Sequence, residues 1–67
     1  MNHTSVEYRH GMLRAYYCSM GGRKSWIGPW RNTIGETQAD EIAFSHMNIR
    51  LGTAKAIAAI RQAEGRT

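Results

Sequence analysis

Apolar and polar positions alternate with a strand period over the first third of the chain and recur with a helical period afterwards. Ser5-Val6-Glu7-Tyr8-Arg9 reads as a half-buried strand, His10-Gly11 as a two-residue turn, and Met12 to Met20 as a second strand. Gly21-Gly22 predicts a second hairpin, because both positions can take positive φ without steric cost. A third strand follows from about Arg23 to Ile27. Gly28-Pro29 bends or ends it, since proline cannot donate to a ladder.

Two-residue turns at 10–11 and 21–22 sort the side chains by parity onto two faces. Val6, Tyr8, Leu13, Ala15, Tyr17, Trp26 and, past the bend, Trp30 form the expected core face, interrupted only by Ser19 and Lys24 near the tip. The other face collects Ser5, Glu7, Arg9, Met12, Arg14, Tyr16, Cys18, Met20, Arg23, Ser25, Ile27 and Arg31. On it Glu7 stands opposite Arg14, as a cross-strand ion pair would.

The core face needs a cover. Thr33 and Glu36 have the spacing of a capping box, and Glu36, Asp40 and Glu41 suit the positive end of a helix dipole. Ala39, Ile42, Ala43, His46, Met47 and Arg50/Leu51 then recur at helical spacing up to Gly52, a natural stop. Thr53 caps a second helix, Ala54 to about Glu64, with a narrow stripe of Ala54, Ile57, Ala58 and Ile60, and Gly65 ends it. The expected architecture is α+β: a three-stranded antiparallel β-meander (about 5–30) packed on one α-helix (about 34–51), with a short C-terminal helix (about 53–64). Sixty-seven residues leave room for one small domain only. Such a chain buries about 60% of the surface it exposes when unfolded.

Charge changes this picture. Net charge is +4, and Arg9, Arg14, Arg23, Lys24 and Arg31 fall in residues 8–35, a window without Asp or Glu. A basic sheet beside a more balanced helical half points to an anionic partner, against the plainer reading of a solvated face that keeps a small protein soluble. Cys18 is the only cysteine, which fits a reducing compartment: cytoplasmic, or nucleoid or nuclear for a DNA-bound protein. The N-terminus carries no apolar run, so no signal peptide is expected. No segment approaches the roughly 20 apolar residues of a membrane span.

The candidate nucleic-acid-binding residues are Arg9, Arg14, Tyr16, Arg23, Lys24 and Arg31. Arginine offers a planar fork to phosphate oxygens or guanine edges, and a twisted sheet can enter the major groove. Trp26, Trp30, Tyr8 and Tyr17 could stack on unpaired bases, but a chain this small needs its large aromatics inside. Met12, Cys18, Met20 and Ile27 among the arginines suggest the main alternative, a surface for an acidic protein partner or a homodimer. His3, His10, Cys18 and His46 show no ligand spacing, so no metal is expected. Neither a phosphate-cradling loop nor a nucleophile with base and orienting group is present, so neither enzyme activity nor a cofactor is expected.

Trp26-Ile27-Gly28-Pro29-Trp30-Arg31-Asn32-Thr33, followed by Glu36 and an alanine-bearing helix, resembles two related groups of domains. They are the ethylene-response-factor DNA-binding domains of plants and the arm-type DNA-binding domains at the N-termini of tyrosine integrases. The resemblance covers about residues 8–48. It implies a three-stranded sheet backed by one helix, laying its outer face in the major groove, with strand Arg and Trp side chains making the contacts. Thr37 stands where those domains carry alanine, and residues 53–64 have no counterpart in the minimal domain. The resemblance also implies Trp26 on the DNA face and Ile27 in the core, the reverse of the parity reading. A three-residue turn or a bulge after Gly22 would reconcile the two; parity over all three strands keeps Trp26 inside. The expected function is that of a small duplex-DNA-binding protein, phage- or plasmid-encoded, in a regulatory or recombination accessory role. The alternative is a protein-interaction module or inhibitor using the same face.

Overall fold

The computed structural model describes residues 3–65. Three strands, β1 (His3–Arg9), β2 (Met12–Cys18) and β3 (Lys24–Trp26), precede two helices, α1 (Ile34–Leu51) and α2 (Thr53–Gly65). The sheet is antiparallel in the order β1-β2-β3, so the fold is the expected α+β meander backed by helices. β1 starts at His3, two residues before the alternation predicts.

The first hairpin follows the sequence reading. His10 (φ 53°) and Gly11 (φ 77°) both take positive φ, which makes a turn whose twist matches the flanking strands. Arg9 therefore faces Met12, Glu7 faces Arg14 and Val6 faces Ala15.

The second hairpin departs from it. Gly22 N–H donates to the Ser19 carbonyl at 2.9 Å and Ser19 N–H to the Arg23 carbonyl at 3.0 Å, leaving a loop of Met20, Gly21 and Gly22. Gly22 supplies the positive φ (82°) that such a loop needs after its first turn. Tyr16 now pairs with Trp26 and Cys18 with Lys24. One residue of slip turns every side chain of β3 over. Trp26 and Lys24 move to the outer face, Ser25 leaves it, and Ile27 enters the core at 2% exposure, correcting the parity assignment of each.

A second irregularity follows at once. Ile27 N–H still bonds the Ala15 carbonyl at 3.1 Å, but the next bridge joins Arg31 to Leu13 through bonds of 2.8 and 2.6 Å. Gly28, Pro29 and Trp30 thus bulge opposite the single residue Arg14. The bulge turns Arg31 to the helix side, where its guanidinium forks onto Asp40 of α1, and brings Trp30 to the outer side. Both placements reverse the sequence expectation. Gly28 is needed here because a Cβ would lie 2.6 Å from Asp40 Oδ2 and 3.0 Å from Asp40 Cβ.

The core is small and centred on β2. Ala15, Tyr17, Ile27, Phe44 and Ala56 are buried, and Met47, Ile57 and Ile60 pack around them. Tyr17 and Phe44 meet with ring centroids 5.3 Å apart. No residue of β1 joins this cluster, and Tyr8, expected inside, is 72% exposed.

Thr33 caps α1 by accepting the Glu36 N–H at 3.3 Å, and Gly52 ends it at φ 86° with its N–H on the Asn48 carbonyl. Of the predicted stripe of α1 only Met47 packs against the core; Ala39, Ile42, Ala43, His46, Arg50 and Leu51 are exposed. Thr37, Phe44 and Met47 face the sheet, while Ile42 and His46 face out. Thr37 is tolerated inside because its hydroxyl donates to the Thr33 carbonyl at 2.9 Å. In α2 the inward positions are Ala56, Ile57 and Ile60; Ala54 and Ala58 are exposed.

Candidate nucleic-acid interface

The outer face of the sheet is a chain of cations and rings. Arg9 lies 5.5 Å from the Trp30 ring centre, and the Arg14 guanidinium lies 5.9 Å from Trp30 and 4.7 Å from Trp26. Trp26 and Trp30 sit 5.7 Å apart at 49°, and Tyr16 meets Trp26 edge-on at 6.2 Å. Lys24 Nζ completes the row 4.9 Å from Tyr16. Each cation–ring contact at an exposed site stabilises by about 0.5–1 kcal/mol, so the row holds its own side chains in place.

Strand period and bulge together build it. Arg14 and Tyr16 are alternate residues of β2, Arg9 comes from β1, Lys24 and Trp26 come from β3, and Trp30 comes from the bulge. Arg14 sits at the centre. Its Nε donates to the Gly28 carbonyl at 2.5 Å, and its Nη2 meets Glu64 Oε1 and Oε2 at 3.2 and 3.3 Å. Glu7 does not pair with Arg14 as its cross-strand position suggested. It binds Arg9, and Lys24 at 3.7 Å. Three face cations therefore meet two carboxylates, and Arg23 stands exposed at the hairpin tip.

Of the predicted site residues, Arg9, Arg14, Tyr16 and Lys24 come together here, with Arg23 at the loop beside Lys24. Arg31 does not join them: its Nε and Nη2 each lie 2.9 Å from an Asp40 oxygen, across the sheet. That hydrogen bond, helped by the charges of Asp40 and Glu36 and opposed by burial, holds the Arg31 pKa above the usual arginine value. Trp26 and Trp30 are face residues that strand parity put inside, although the resemblance implied Trp26 on this face, and Glu64 was not among the expected site residues. A three-residue loop at Met20-Gly21-Gly22 was the signal for Trp26. Of the apolar residues expected among the arginines, Met12 and Cys18 are half-buried, Met20 is 79% exposed, and Ile27 belongs to the core.

Among the described residues no three His, Cys, Asp or Glu side chains gather into a metal-binding group. No helix among them is long and apolar enough to cross a membrane. A scan against protein-family models, a search of curated proteins and a search of solved structures each returned no match to this chain.

Proposed function

We propose that this chain binds duplex DNA through the outer face of its sheet, as a small regulatory or recombination accessory protein. One observation carries the reading: the continuous row of Arg9, Trp30, Arg14, Trp26, Tyr16 and Lys24 on one side of the sheet. Arg9 and Lys24, which share Glu7, suit neighbouring phosphates of one strand. Arg14 suits a guanine edge, and the tryptophans suit sugar and thymine methyl contacts. Trp26 outside and Ile27 inside is also the arrangement that the resemblance to sheet-type DNA-binding domains implies. Duplex is favoured over single strands because the rings lie against one another and against Arg14, leaving no free-standing stacking platform.

Fluorescence anisotropy with a random duplex pool across a salt series tests this. Three or four phosphate contacts predict a log–log slope of about −3 to −4, lost with affinity in Arg14→Ala/Lys24→Ala. The second reading, an acidic protein partner, rests on Met12 and the exposed Met20 beside the same cations. Absence of duplex binding at low salt favours it.

A further inference from the structure

We infer that Glu64 is a built-in competitor for the anion at Arg14, which makes α2 a latch on the face that binds nucleic acid; the inference rests on the proposed reading of that face. Glu64 reaches Arg14 from 50 residues further along the chain and meets its Nη2 with both carboxylate oxygens. Arg14 does not need this partner to hold its plane. The Gly28 carbonyl takes its Nε, and Trp26 and Trp30 lie against the guanidinium. What Glu64 occupies is one of the two terminal nitrogens, Nη2, that a phosphate or a guanine edge would use for a forked contact. Binding at the centre of the face is therefore an exchange of carboxylate for ligand.

The way α2 is attached makes that exchange feasible. Its inward residues, Ala56, Ile57 and Ile60, all lie N-terminal to Glu64, which sits in the last turn. Glu64 is already about one-third exposed at the rim of an open groove lined by Ile27, Gly28, Pro29, Asp40 and Ala63, so its side chain has solvent to turn into while the core stays packed. A carboxylate left near the ligand also repels phosphate, so the helix lowers affinity until it moves.

The test is duplex affinity by anisotropy at about 0.1 M salt. Glu64→Gln, which keeps shape and removes charge, is expected to bind about three- to tenfold tighter than the unaltered protein. Glu41→Gln, the same charge change on α1, should shift affinity less than about twofold. In an Arg14→Ala background the Glu64→Gln gain should shrink to below about twofold, since the competition runs through Arg14. Equal or weaker binding by Glu64→Gln, while the unaltered protein binds, overturns the latch alone. So does a gain that persists without Arg14, or one that Glu41→Gln matches. Binding by neither protein overturns the reading of the face and the latch with it. Melting curves establish that each variant is folded.

Discussion

Arg14 stands opposite the bulge and Arg31 at its end, and the two make opposite use of the same chemistry. Arg31 faces α1 and grips Asp40 with two nitrogens at 2.9 Å, the carboxylate side chain being only 14% exposed. Arg14 faces outward and offers Glu64 one nitrogen at 3.2–3.3 Å. The first pair is a forked clamp between neighbouring elements, which adds geometric specificity to charge. The second closes a long loop onto the end of a helix, with a single nitrogen shared between two oxygens. The difference teaches that an arginine count in a basic stretch does not locate a binding surface. The backbone decides which arginines face the helices and which join the outer row.

Breaking the helix side should cost stability, and breaking the outer side should cost binding. Adjacent residues give the largest contrast. Ile27→Ala, at a buried position, is expected to destabilise by about 2–4 kcal/mol in urea denaturation. Trp26→Ala should cost about 1 kcal/mol while lowering duplex affinity about tenfold. A larger stability loss for Trp26→Ala would restore the two-residue turn.

Gly28→Ala comes next. Its methyl would press on Asp40 Cβ as well as the carboxylate, so the clamp must shift, at about 2–3 kcal/mol by the same denaturation measurement. Asp40→Asn, which removes the clamp's charge and keeps its shape, should cost about 1 kcal/mol with duplex affinity changed less than twofold. Arg31 has its pKa raised in the folded chain, so its contribution is full below the ordinary arginine value and fades only as pH rises through the folded one. Denaturation of the unaltered protein compared with Arg31→Ala between about pH 6 and 9 should therefore show a constant difference. The smallest effect belongs to the first turn. His10→Asn, better suited to positive φ, should raise stability by about 0.5 kcal/mol in thermal melts.

How much of this was legible varies with the range of the interactions involved. The first hairpin, the Thr33 cap and the Gly52 stop depend on a few neighbouring residues, and these could be read directly. Gly21-Gly22 announces a turn but suits a loop of two or three residues equally well, and the choice reverses Trp26 and Ile27. The bulge at Gly28-Pro29-Trp30 reverses Arg31 and Trp30 because Leu13 regains its partner beyond it. In α1 the expected stripe took in His46 and Ile42, which is 59% exposed, and left out Phe44 and the buried polar Thr37; the aromatic contact of Phe44 with Tyr17 sets the facing, and only Met47 was placed by spacing. Glu64 on Arg14 is a meeting across 50 residues that no local pattern encodes.

The central claim is that the cation–aromatic row is the surface that meets DNA. Amide and indole N–H shifts of the labelled protein, followed by NMR as a short duplex is added, read that surface directly. The row predicts the largest shifts at Arg14, Tyr16, Lys24, Trp26 and Trp30, with the outward residues of α1, such as Ile42 and Ile49, unmoved. Shifts centred on α1, or no shifts at low salt, would contradict it.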